Sequence, residues 1–149
     1  MKVGEACNRD VVVADRAESV GEAIRLMREH HVGDVVVVQR QGSGPVPVGM
    51  LTDRDIVVEL LAPDVDLDRV TVGDVMSMDP EICAENEEID VAIKRMRARG
   101  VRRMPVTGAG GGLVGILAVD DLIELLAEQL GDLAAIVARE QSHERLTRP

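Results

Sequence analysis

Thr52 and Asp55 stand three residues apart in Gly49-Met50-Leu51-Thr52-Asp53-Arg54-Asp55, at the start of an apolar periodic segment. A hydroxyl at the start of a helix sits beside backbone N–H groups that lack intrahelical partners, and such a place attracts an anion. An ionised carboxylate such as Asp55 accepts two hydroxyl hydrogen bonds, which suits a sugar diol. Arginine grips phosphate oxygens in a fork, and Arg54, Arg102 and Arg103 are the candidates for that contact. The same Thr-x-x-Asp spacing also describes a capping box, in which both side chains serve only the helix end. Arg102 and Arg103 equally fit a solvated turn.

Other chemistry finds little support. The sequence contains no Ser–His–Asp or Cys–His arrangement, no Walker loop and no GxGxxG, so no catalytic residue is expected. His30 and His31 close a helix, where its dipole favours them, and as neighbours they point to different faces, a poor metal pair. His143 stands alone, and no metal site is expected. Cys7 and Cys83 share no CxxC spacing and read as small reduced thiols, with a disulfide between them left open. Gly110–Gly112 lies between two strand segments and reads as a hairpin turn, not a phosphate loop.

The elements that position these residues come as a duplication. Val3-Gly4-Glu5 recurs as Val72-Gly73-Asp74, 69 residues on, and the same offset carries Ala23 to Ala92, Met27 to Met96, Val32 to Val101 and Val37 to Val106. Past a loop the offset becomes 66, taking Gly49 to Gly115, Leu51 to Leu117, Asp55 to Asp121 and Leu60 to Leu126. Each half reads strand, helix, strand, strand, helix. The first strands are Val11–Val13 and Ile82–Ala84. Helices follow on the i, i+3, i+4, i+7 patterns Val20, Ala23, Ile24, Met27 and Ile89, Ala92, Ile93, Met96, the first opened by a possible Ser19/Glu22 capping box. Strands buried on both faces come next, Val35–Val38 and Met104–Thr107. Turns at Gly42, Gly44, Pro45 and at Gly108–Gly112 lead to Val48–Leu51 and Leu113–Val119, with closing helices from about Asp53 and Asp120. Residues 1–62 form the first repeat, 63–71 a linker, 72–129 the second repeat and 130–149 a helical tail. The fold class is α/β, with the two repeats packed about a pseudo-twofold axis because neither buries enough surface alone. In the tail, Leu130, Leu133, Ile136 and Val137 form an apolar stripe, which either packs a dimer or covers the chain's own core.

The chain has 149 residues, 46% hydrophobic and 30% charged, with a formal net charge of −10 and no Phe, Tyr or Trp. The core must therefore be aliphatic. Net acidity and the lack of aromatic stacking platforms argue against nucleic acid. The apolar stretches are too short to span a bilayer, and the first residues lack a secretion signal, so a cytoplasmic location is expected.

Residues 49–55 resemble the ending of a cystathionine-beta-synthase (CBS) repeat: a glycine, two apolar positions, Thr or Ser, two variable residues and Asp. Val101-Arg102-Arg103-Met104-Pro105-Val106 is similar to that family's segment leading into the central strand. The resemblance covers roughly residues 3–128, and the duplication makes it specific. Two such repeats form a Bateman module. The resemblance implies a regulatory protein without catalysis or cofactor, binding an adenosyl ligand (AMP, ADP, ATP or S-adenosylmethionine), acting on a regulated partner protein and dimerising into a flat disc. The alternative is a ligand-free interaction module.

The resemblance also implies that each cleft joins the Thr/Asp motif of one repeat to the early strand and pre-strand segment of the other. The first cleft then combines Thr52, Arg54 and Asp55 with Pro80, Ile82, Val101, Arg102 and Arg103. The second combines Asp121 with Val11, Val13, Val32 and Gly33. There Ala118 replaces the Thr or Ser, and Asp34 stands where the other copy has Arg103. The first is expected to be the stronger phosphate site.

Overall fold

The computed structural model describes residues 1–42 and 44–148. The first half contains α1 (Val3–Ala6), β1 (Val13–Asp15), α2 (Val20–His30), β2 (Asp34–Gln41), β3 (Gly44–Thr52) and α3 (Asp53–Ile56), which runs on as a π-helical turn over Val57–Leu61. The second contains α4 (Val72–Val75), β4 (Ser77–Met78), β5 (Cys83–Ala84), α5 (Ile89–Arg99), β6 (Arg103–Thr107), β7 (Leu113–Ala118) and α6 (Val119–Thr147). The expected order is present twice. The one-turn helices α1 and α4 and the short strand β4 were not anticipated.

Two sheets result, ordered β1-β2-β3-β4 and β5-β6-β7. In both, the first strand runs parallel to the central one and the third antiparallel to it. Gly44 and Pro45, expected in a turn, begin β3 instead. That strand meets β4 only at Gly49 and Met50, so its first half is an edge, where Pro45 and Pro47 are tolerated without an N–H to donate.

The two halves exchange their N-terminal turns. Val3 N donates to Glu87 O at 2.9 Å, and its counterpart Val72 N donates to Glu18 O at 2.8 Å. Gly4 N reaches Glu85 O and Gly73 N reaches Arg16 O, both at 2.9 Å. Asn8 pairs with Ile116 as Ser77 pairs with Met50. Each contact has a mate shifted by the repeat offsets, which is the pseudo-twofold written in hydrogen bonds. Val3 therefore sits in the core of the second repeat, with Cys83, Ala92, Met96, Met104, Val106, Leu117 and Leu122. Val72 and Met76 sit in the first, with Val20, Ala23, Met27, Val35, Val37 and Leu51.

The exchange explains the glycine at the head of each motif. A Cβ at Gly49 would lie 2.5 Å from Met76 Sδ and 2.8 Å from Ser77 O; at Gly115 it would lie 2.7 Å from Cys7 Sγ and 3.0 Å from Asn8 O. The incoming segment crosses where only hydrogen fits.

β2 is buried on both faces, as its unbroken valine run requires. Val35 and Val37 point into the first core, and the alternation sends Val36, fully buried, the other way, toward the second repeat. At α2, Ser19 Oγ accepts from Glu22 N at 3.2 Å, while the Glu22 side chain pairs with Arg25, so only the serine half of the box is indicated. Cys83 is buried and Cys7 half-buried, both as free thiols. The tail stripe does not cover the chain's own core: Leu130, Leu133, Ile136 and Val137 are 55–67% exposed on α6.

Candidate functional site

The Thr52–Asp55 pair is closed on itself. Thr52 Oγ1 accepts from Asp55 N and Asp55 Oδ2 accepts from Thr52 N, both at 3.1 Å, a complete capping box on α3. Arg54 is exposed beside it. Pro80, Ile82 and Val101 are half-buried, and the Ile82 carbonyl accepts from Arg95 Nη2 at 2.5 Å.

The two arginines expected to serve Thr52 and Asp55 turn toward the other motif. Arg102 Nη2 lies 2.9 Å from Asp120 Oδ1, and Arg103 Nη2 lies 4.0 Å from Asp120 Oδ2. Arg103 Nε lies 2.8 Å from Asp34 Oδ2. The cause is strand register. β6 and β7 are antiparallel neighbours, which sets Arg103 opposite Ala118, the residue before α6. In the same way β2 and β3 set Asp34 opposite Thr52. The expectation of Arg103 in the first cleft alone is thus corrected, and the second cleft is not left with Asp34 uncompensated.

A cavity of about 270 Å³ opens between the repeats at this place. It joins Ala118 and Asp121 of the second repeat to Val11, Val32, Gly33 and Asp34 of the first, with Arg103 on its wall. Val13 lies outside it but lines an adjoining hollow that shares Val11 and Val32. Asn8, Asp10, His31 and Asp120 also line the cavity, and the sequence reading assigned none of them to a cleft, taking His31 as a helix end and Asp120 as a helix start. Asn8 and Asp10 follow the exchanged turn α1, which delivers them. Nothing in the sequence marks that delivery except the recurrence of Val-Gly-acid. His31 arrives through a helix end: it takes the left-handed conformation, φ 54°, that its counterpart Gly100 takes at φ 67°.

The walls are acidic. Asp10, Asp34, Asp120 and Asp121 face one arginine, and that arginine is held by Asp34. Burial pushes the Asp34 carboxyl above its ordinary range; the Arg103 guanidinium pulls it back in part and Asp53 adds repulsion. Val119 N at the start of α6 donates to the Arg102 carbonyl at 2.9 Å, but Ala118 gives no side-chain cap, which leaves the next first-turn N–H groups at the cavity mouth for another acceptor. Among the described residues, no three His, Cys, Asp or Glu side chains gather as a metal site would need. No described helix is long and apolar enough to cross a membrane.

Comparison with known proteins gives a consistent result. The CBS domain profile matches residues 3–62 and 72–128. A protein of Methanopyrus kandleri is 33% identical over 125 residues, 84% of this chain and 62% of that protein, so the chain spans less than two thirds of this relative. Hypoxic response protein 1 of Mycobacterium tuberculosis is 32% identical over 121 residues, 81% of this chain and 82% of that one. A crystal structure of Hypoxic Response Protein I with two coordinated zinc ions superposes with a TM-score of 0.73 at 29% identity, covering 83% of this chain and 98% of that one. A CBS domain protein from Pyrobaculum aerophilum complexed with AMP shares the fold, with a TM-score of 0.71 at 24% identity over 85% of this chain and 99% of that one.

Proposed function

Since the chain belongs to the CBS domain family, we propose that it is a regulatory module that binds an adenosine-containing ligand between its repeats and passes that state to a partner protein. The observation that carries this reading is the cavity where Asp121 and the uncapped start of α6 face Val11 and Val32 across the repeat interface. Apolar walls with a few convergent polar groups are the usual make-up of a small-molecule site. Val11 and Val32 supply a surface for a base, and Asp121 an acceptor for the ribose hydroxyls. The cleft at Thr52, Arg54 and Asp55, with Pro80, Ile82, Val101 and Arg102, is the weaker site in this reading, because its hydroxyl and carboxylate already satisfy each other.

The charge of the walls selects among adenosyl ligands. Four carboxylates, offset only by Arg103 at Asp34 and Arg102 at Asp120, leave the walls net acidic and repel each added phosphate, so S-adenosylmethionine, whose sulfonium is cationic, and AMP are favoured over ATP. We place the protein in the cytoplasm as a homodimer, a reading supported by free thiols and the bare apolar stripe of α6.

Calorimetry with AMP, ATP and S-adenosylmethionine tests this. A hydrogen bond to a charged group contributes about 1.5–3 kcal/mol, so Asp121→Ala is expected to weaken binding roughly tenfold to a hundredfold. Asp55→Ala is expected to change it little. If Asp55→Ala is the damaging change, the ligand sits in the other cleft. If no ligand gives heat, the module is a ligand-free interaction domain.

A further inference from the structure

From Ile123 to Val137, α6 carries an exposed apolar seam. Ile123, Leu126, Leu130, Leu133 and Val137 follow one another at alternating steps of three and four, the spacing of a heptad seam. Each is more than half exposed, from 54% at Leu126 to 67% at Leu130. Near the body the seam runs into a small groove formed by Leu126 with Met1, Ile89 and Ile93, so an occupant of the seam also meets apolar surface at its far end.

The charges beside the seam say what the occupant is. Residues 120–132 carry Asp120, Asp121, Glu124, Glu128 and Asp132 and no base; residues 139–148 carry Arg139, Arg145 and Arg148 with Glu140 and Glu144. Two copies in parallel would set the acidic stretch against itself. Two copies in antiparallel would set it against residues 131–143, where Arg139 offsets one of the two carboxylates Asp132 and Glu140, a much smaller repulsion. With the twofold axis between Gly131 and Asp132, Leu130 of one helix meets the heptad position of Leu133 on the other, Leu126 meets that of Val137, and Glu124 comes level with Arg139.

We propose that α6 pairs antiparallel with α6 of a second copy of this chain through Leu126, Leu130, Leu133 and Val137. The inference rests on the homodimer of the preceding reading and gives it a surface and a direction; it does not depend on the ligand. The pairing extends beyond the repeats, since the seam past Gln129 has no counterpart in the first half.

Sedimentation equilibrium of the full chain at micromolar concentration is expected to give twice 16.1 kDa. The double variant Leu130→Glu, Leu133→Glu changes only exposed positions and is expected to sediment as a monomer with an unaltered circular dichroism spectrum. Direction is read by crosslinking in a Cys7→Ser background. Leu126→Cys and Val137→Cys chains, mixed, are expected to form a mixed disulfide dimer in large excess over either chain alone. A monomeric wild type, or one that associates only with another protein's helix, overturns the proposal. So does a double variant that remains dimeric, or a Val137→Cys chain that links to itself as readily as to Leu126→Cys. Absent calorimetric heat in a wild-type dimer sinks the ligand reading alone, and the pairing survives it.

Discussion

Arg103 Nε lies 2.8 Å from Asp34 Oδ2, and the two residues hold the same position in the two repeats, 69 apart. Residues at equivalent positions close to a twofold axis must face each other. Two arginines there would repel and two aspartates would do the same. Opposite charges turn the unavoidable contact into an ion pair across the repeat interface.

Exchanging the two charges therefore should matter less than changing one. Asp34→Arg sets two guanidiniums face to face and is expected to lower stability, as is Arg103→Asp by facing two carboxylates. The double exchange is expected to recover most of the loss. The Arg103 side chain is 38% exposed, so the coupling energy is expected near the exposed-pair range, about 1 kcal/mol. Urea unfolding of the four proteins measures it, and strictly additive effects would show that the pair contributes nothing.

Asp34 also gives stability a pH dependence. Its folded pKa is raised above the ordinary 3.8, chiefly by burial. The folded state then holds the proton more tightly than the unfolded one. Its contribution to stability is fully present below the unfolded pKa and is lost as pH rises through the folded value. Asp34→Asn removes the titration. The difference in urea midpoint between wild type and Asp34→Asn is expected to shift in favour of the variant as pH rises from about 4 toward neutrality. A difference that stays constant across that window would contradict this assignment.

The motif glycines answer to the exchanged segments. A Cβ at Gly49 meets Met76 and the Ser77 carbonyl, and at Gly115 it meets Cys7 and the Asn8 carbonyl. Overpacking of this kind costs about 1–3 kcal/mol. Gly49→Ala and Gly115→Ala are each expected to lower the thermal midpoint, whereas Gly110→Ala, which faces open space, is expected to be nearly neutral. Equal effects at all three positions would mean that the crossing is looser than it is drawn.

The thiols should be slow. Burial pushes Cys83 up to about 12, and burial also raises Cys7, partly offset by Arg9. Since the thiolate is the reactive form, a disulfide reagent at pH 8 is expected to leave Cys83 untouched in the native protein and to modify Cys7 slowly. Both thiols should react at once in denaturant. Rapid native reaction of two thiols would place Cys83 nearer solvent than it lies here.

The sequence by itself determined the duplication, the repeated order of elements and the aliphatic core. These depend on local period and composition, and Val35–Val38 or the Ala23/Met27 stripe can be read without knowing what lies opposite. It also determined the Thr52/Asp55 pair, because a capping box is made within four residues. Only the tertiary structure decided where the arginines went. Arg103 and Asp34 meet because two strands from different repeats approach one axis, and neither residue's neighbours in sequence carry that fact. The same holds for Asn8, Asp10 and His31, which reach the cavity through an exchanged turn and a left-handed helix end. Contacts made across the chain depend on the register of sheets and the path of the backbone, and those are set by packing of the whole molecule, not by any one segment.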